Sequence, residues 1–257
     1  MKKRLLGSLL ASLSFASHAT IVEMQTSQGT IEINLFDQQT PKTVENFLSY
    51  VQDDSYNETV IHRSIDNFVI QGGGFTFSDT LDPITTKPAV INEPVFSNVK
   101  GTIAMAKLGG NPNSATSQWF FNMANNSGGS AALDTQNGGF TVFGQITAES
   151  QETLDKIAAL VHCGETPVVD ITTEQCASSD VSISSANLVT IQSVTVLDDD
   201  PNSAAGLTVV ENTLIDADNS DNSDNSDNSD GSGGSSGGAL IWLLGAFLLA
   251  VPRLKKK

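Results

Sequence analysis

Residues 61–76 read IHRSIDNFVIQGGGFT, and this stretch narrows the possible architectures more than any other part of the chain. Alternation puts Ile61, Arg63 and Ile65 on one side of a strand and His62 and Ser64 on the other. A guanidinium is therefore predicted to share a face with hydrophobes. After an Asp66-Asn67 turn, Phe68, Val69 and Ile70 form a second apolar run, followed by Gln71. Gly72, Gly73 and Gly74 then allow positive φ or a close approach of backbone to something else. No Lys-Ser/Thr pair and no helical pattern follows them, so they read as a turn and not as a phosphate cradle. His62 falls on the face opposite Arg63 and reads as structural.

The surrounding pattern is mainly β. IVEMQT and TIEINLF alternate on either side of Ser27-Gln28-Gly29, a hairpin signature. Thr40 is placed to cap a helix with Pro41 at its first position, and Val44, Phe47, Leu48 and Val51 recur at helical spacing. Pro83, Pro88 and Pro94 break up the region after the glycines. Strands are expected again at Ile103–Met105, Trp119–Phe121, Phe140–Ile146 and in LVTIQSVTVL, which ends at Leu197. Ser150 is placed to cap a second helix carrying Leu154, Ile157, Ala158 and Val161. Many short strands with two helices predict a closed antiparallel β architecture.

The ends of the chain carry a different message. Residues 1–19 open with Lys2, Lys3 and Arg4, continue as LLGSLLASLSFA and close with Ser17-His18-Ala19, the form of a secretory signal peptide cut by signal peptidase after Ala19. Residues 239–257 hold the apolar run ALIWLLGAFLLAV and a basic tail. Thirteen helical residues reach only about 20 Å, short of a hydrocarbon core of about 30 Å, and the basic end is expected to stay cytoplasmic. Between them, residues 198–238 hold ten acids and no base, with a DNS triplet repeated four times from Asp218. That segment is expected to be an extended, solvated spacer, with cation binding by its Asp and Asn side chains as the weaker alternative. All 29 acids lie between Thr20 and Gly238, against six bases there. So acidic a body excludes nucleic acid and anionic lipid surfaces as partners of the domain. Cys163 and Cys176 read as a disulfide in an oxidising compartment. A redox or metal site with His162 is the alternative.

Two further segments, GTIAMAKLGGNPNSATSQWFFN at 101–122 and ALDTQNGGFTVFGQI at 132–146, complete a pattern with the opening stretch. An Arg with Phe at plus five and Gln at plus eight, then QGG, SQWFF, LD and VFG, resembles the cyclophilin family of peptidyl-prolyl isomerases over most of residues 20–197. The resemblance implies an eight-stranded closed antiparallel barrel with a helix over each end, as a monomer needing no cofactor or metal. It implies that Arg63 is catalytic and that Gln71 holds its guanidinium and binds a substrate carbonyl. It further implies that Phe68, Val69, Phe120, Leu133 and Phe140 form a proline pocket, and that Ala106, Lys107 and Gln118 line the groove for the flanking peptide. Three departures stand out: Ala132 where tryptophan is common, which argues for weak cyclosporin binding, Val69 in place of methionine, and Phe140 in place of histidine, as in bacterial exported members. The glycine-rich lead GSGGSSGG, apolar run and basic tail together resemble the GlyGly-CTERM sorting signal of some Gram-negative bacteria. That resemblance implies cleavage by a rhomboid-type protease, the alternative being a plain membrane anchor.

The function expected is acceleration of X-Pro bond rotation in exported or surface proteins of the periplasm or cell surface. Rotation is slow because it breaks amide resonance at a barrier of about 18–20 kcal/mol. A catalyst need only bind the twisted amide better than its planar forms. Twisting localises a lone pair on the prolyl nitrogen, and a fixed guanidinium donor stabilises that state selectively. The competing expectation is a chaperone or surface-anchored interaction protein that uses the same groove with little turnover.

Overall fold

The computed structural model describes residues 20–178, 182–198, 207 and 209–215. The predicted signal peptide, the DNS repeat and the C-terminal apolar run lie outside them. Among the described residues, no helix is long and apolar enough to cross a membrane.

The chain opens with the expected hairpin, β1 (Ile21–Thr26) and β2 (Gly29–Leu35), and helix α1 (Pro41–Gln52) follows. Next come β3 (Thr59–Val60), β4 (Arg63–Ile65), β5 (Val69–Gly72), β6 (Phe75–Phe77) and β7 (Leu81–Pro83). The second half holds β8 (Thr102–Met105), β9 (Trp119–Asn122), β10 (Val142–Ile146), α2 (Ser150–Ala158), β11 (Val161–Cys163), β12 (Thr166–Val168), α3 (Thr173–Cys176) and β13 (Thr190–Asp198). Eleven strands form one curled antiparallel sheet in the order β4-β5-β9-β8-β10-β2-β1-β13-β3-β6-β7, and β11 and β12 pair separately. The count exceeds the eight expected, partly because β3 and β4 are two pieces of one stretch. Only Ile61 and His62 separate them, yet β3 pairs with β13 and β4 with β5.

That break explains why simple alternation misplaces Ile61. It is fully buried in the main core with Ile70, Trp119 and Phe121, whereas Arg63 and Ile65 line a surface cavity. The irregular backbone at Ile61 and His62 resets the facing of the residues that follow.

The sheet buries hydrophobes on both faces. On one lies the main core, where Val22, Met24, Ile31 and Ile33 meet Phe47 and Tyr50 of α1 and Leu154 and Ile157 of α2. A second cluster holds Val69, Ala104, Phe120 and Val142 with Phe36 and Phe96.

Helix α1 buries the predicted stripe, Val44, Phe47 and Val51, with Leu48 packed beside it. Its cap is not the one expected. The Thr40 hydroxyl donates back to Phe36 O, and the Glu93 carboxylate instead accepts from the backbone N–H groups of Lys42 (3.2 Å) and Thr43 (2.9 Å). Similarly, Ser150 is the first residue of α2 and its hydroxyl accepts from Glu32 N–H at 2.8 Å, while Val161 leaves the helix for β11. The two expected helices are joined by the short α3, which starts from a capping box between Thr172 and Gln175.

The described part of the predicted spacer is not solvated throughout. Leu207 and Val209 pack on the second cluster, Val210 O accepts from Ser97 N–H at 2.8 Å, and Asn212 is buried. Averaging charge over 198–238 hid these apolar residues, which precede the DNS repeat and suffice to dock the chain.

Candidate active site

The site is built on one row of the sheet. Arg63 of β4 lies opposite Gln71 of β5, Gln71 opposite Phe120 of β9, and Phe120 opposite Ala104 of β8. Residues directly opposite each other project to the same face. The next row, Ser64, Ile70, Phe121 and Ile103, therefore faces the other way, and its apolar members join the main core.

Polar side chains along the first row hold one another. The Arg63 Nε–H donates to Glu165 Oε2 at 2.7 Å, and its Nη1 donates to Gln71 Oε1 at 3.4 Å. Gln71 Nε2 in turn donates to Gln118 Oε1 at 2.9 Å. The glycine run makes room for this chain. A Cβ on Gly74 would sit 2.7 Å from the Gln118 side chain, and one on Gly73, where φ is +73°, would meet the Trp119 indole at 2.5 Å.

The apolar side of the site is the second cluster. Val69, Ala106, Phe120, Leu133 and Phe140 are buried in it with Phe68 packed alongside, and the Phe120 and Phe140 rings meet edge to face at 5.8 Å. A cavity of about 670 Å³ opens beside it, lined among others by Arg63, Ile65, Phe68, Ala131, Gln136 and Glu165. Arg63 and Phe68 thus face one space. Gln118 reaches the site through its carboxamide, and its backbone carbonyl accepts from Ala106 N–H at 2.9 Å.

Lys107 departs from the rest. Its ammonium lies 4.7 Å from the centre of the Phe140 ring and donates to the carbonyls of Asn137 and Gly139, so it ties down the loop behind the pocket. Burial pulls its pKa down to about 8.

Two groups of residues were not anticipated. Glu165 lies 102 positions from Arg63 in the turn between β11 and β12, where local spacing carries no signal of it. The other group is a buried amide network beneath the pocket loop. Asn98 Nδ2 donates to Asp134 Oδ1 and Phe140 O, Asn122 Nδ2 donates to Asn98 Oδ1, and Asn126 Nδ2 donates to Asn122 Oδ1 and Phe68 O. These bonds satisfy otherwise costly buried groups while fixing the backbone on which Phe68, Leu133 and Phe140 stand. Asparagines in a polar loop look like solvated turn residues until the fold buries them.

Cys163 and Cys176 are joined in a disulfide linking β11 to α3. His62 packs its ring edge-on to Phe75 at 4.9 Å. Among the described residues, no cluster of three or more His, Cys, Asp or Glu side chains is placed to hold a metal ion.

A curled antiparallel sheet with a buried arginine beside a cavity and an apolar cluster on the same row defines a recognisable class. The family model described as cyclophilin type peptidyl-prolyl cis-trans isomerase matches residues 21–185, and the chain belongs to that family. Among its relatives, a peptidyl-prolyl cis-trans isomerase of Acinetobacter baylyi is 42% identical over 155 residues, 58% of this chain and 79% of its own length. Peptidyl-prolyl cis-trans isomerase A of Dickeya dadantii is 39% identical over 170 residues, 62% of this chain and 85% of its own length. The fold is shared with a crystal structure of a Cryptosporidium parvum cyclophilin type isomerase in the presence of the dipeptide Ala-Pro. That likeness has a TM-score of 0.50 at 21% identity and covers 69% of this chain and 99% of that one.

Proposed function

We propose that this protein accelerates cis-trans rotation of X-Pro bonds in exported or surface proteins, with Arg63 as the group that stabilises the twisted amide. The observation that carries the reading is the buried Arg63 guanidinium, held from two sides by Glu165 and Gln71 at the edge of a cavity it shares with Phe68. These two bonds use two of the five guanidinium N–H groups, so donors on Nη1 and Nη2 remain for a prolyl nitrogen. The lone pair of a planar amide nitrogen is delocalised into the carbonyl and accepts poorly, whereas that of a half-rotated one is localised and accepts well. The hydrogen bond is therefore worth most at the transition state. Phe68, partly exposed at the cavity, supplies apolar surface for the prolyl ring, with the buried Val69, Phe120, Leu133 and Phe140 packed behind it, and Gln71 and the Ala106–Lys107 segment supply the polar contacts of the flanking peptide. No nucleophile or metal takes part in the mechanism.

The test is R63A in a protease-free isomerisation assay with an Ala-Pro peptide. Loss of one preorganised donor predicts a drop of about 10²–10³ in kcat/KM, with R63K recovering only part of it because an ammonium lacks the planar fork. A rate for R63A within threefold of wild type would reject the mechanism. Loss of turnover with the cellular role intact would favour the proline-binding chaperone.

The compartment belongs to the same proposal. A signal peptide over residues 1–19 and a sorting or anchoring tail over 239–257 would place the domain in the periplasm or on the cell surface of a Gram-negative bacterium. The Cys163–Cys176 disulfide suits such a compartment. Intact mass of the protein recovered from cells decides between the fates of the tail. A chain ending near the glycine-rich segment supports rhomboid-type processing, and one retaining Lys257 means a membrane anchor.

A further inference from the structure

Glu165 contacts the arginine on which the proposed mechanism turns, from an element that has no other part in the pocket. It occupies the two-residue turn between β11 and β12, next to Gly164, whose φ is +69°. Its backbone is held independently of its side chain. Glu165 O accepts from Ser64 N–H at 2.6 Å, and the neighbouring Thr166 hydroxyl donates to His62 O at 2.9 Å, so both residues flanking Arg63 are bonded to this turn. On the other side Cys163 is tied to Cys176 of α3. The carboxylate thus starts from a fixed point and reaches Arg63 Nε at 2.7 Å, half-exposed itself while the guanidinium is buried.

An arginine side chain has several rotatable bonds, and one acceptor at 3.4 Å, Gln71, does not set its plane. A charge-assisted bond at Nε, on a different nitrogen from that held by Gln71, restricts rotation of the guanidinium at the wall of the cavity it lines. Misplacing a reacting donor by an ångström can cost about a hundredfold in rate.

We propose, on the reading of Arg63 given above, that Glu165 is a positioning residue for isomerisation, acting on turnover through Arg63 and not on substrate binding. The experiment measures kcat and KM for the Ala-Pro peptide in the full-length chain and in its E165A, E165Q, R63A and R63A/E165A variants. E165A is expected to lower kcat about tenfold with KM within about twofold. E165Q should restore most of the loss, because a carboxamide oxygen still accepts from Nε. In the R63A background E165A should change the residual rate by less than twofold, since nothing remains to be positioned. The inference is overturned by a kcat for E165A equal to or above wild type, by equal losses in E165A and E165Q, or by additive losses in the double variant. R63A separates this failure from failure of the parent reading. A collapse in R63A with normal E165A rejects Glu165 alone, whereas normal turnover in R63A rejects the mechanism itself.

Discussion

His62 and Arg63 are adjacent in sequence and have opposite fates. Arg63 pairs with Glu165 at the cavity, while the His62 ring is packed on Phe75 with its Nδ1 buried and without a hydrogen-bond partner among the described residues. The residue as a whole is partly exposed, but the buried nitrogen decides its titration. Burial, aided by the nearby Arg63 charge and only partly opposed by a hydrogen bond with the Val60 backbone, pushes the imidazole down to about 4. The folded pKa therefore lies below the unfolded value of about 6.5. Between these values the unfolded chain binds the extra proton, so stability present above pH 6.5 is lost as pH falls towards 4. The loss should be of order 2–3 kcal/mol, and H62F should remove it. Urea midpoints of wild type and H62F at pH 7 and pH 4.5 check this, and parallel losses in the two would reject the assignment to His62. Alternation was enough to separate His62 from Arg63. It failed for Ile61 because the irregular backbone between β3 and β4 shifts the facing by one residue.

Local spacing made most elements legible, and long-range pairing hid the devices that fix their ends. The stripe of Val44, Phe47 and Val51 needs only a 3.6-residue period, and the site row needs only Arg63, Gln71 and Phe120 in strands that pair. Nothing within ten residues of α1 announces Glu93 as its N-terminal acceptor. That carboxylate comes from 50 residues away, brought there by Asn92 and Thr141 and by the Glu93 N–H bond to the Thr141 hydroxyl at 2.8 Å. It also accepts from the Thr43 hydroxyl at 2.8 Å. Its removal in E93A leaves two backbone N–H groups and the positive end of the helix without their acceptor, and should cost about 1–2 kcal/mol. E93Q keeps one acceptor oxygen and should recover only part of the loss, because its amide nitrogen cannot accept from the second backbone N–H. Thermal unfolding of the three proteins reads this directly, and an E93A midpoint equal to wild type would show that water replaces the carboxylate at no cost.

For the whole molecule, the sheet buries both of its faces, and the chain end helps to cover the second. Beyond β13 the chain returns with Leu207 and Val209 on the Phe36, Phe96 and Phe120 cluster. Asn212 N–H donates to Val95 O at 3.0 Å, and Asn212 Nδ2 donates to Pro94 O at 3.1 Å and to Asp134 O at 2.9 Å. Asp134 follows Leu133 in the pocket loop, so this segment braces the wall proposed to receive the prolyl ring. The domain should therefore end near Ile215, not at Leu197. Two truncations test the boundary. A chain stopped after Ile215 loses the DNS repeat and tail and should unfold at the same temperature as the longer protein. One stopped after Asp198 loses five hydrogen bonds between this segment and the rest of the domain and the apolar contacts of Leu207 and Val209, of order 2–4 kcal/mol, which lowers Tm by roughly 5–10 °C. Its KM for an Ala-Pro peptide should also rise, because the pocket loop loses the Asn212 bond to Asp134 O. Equal melting temperatures for the two chains would mean that residues 207–215 rest on the domain without supporting it.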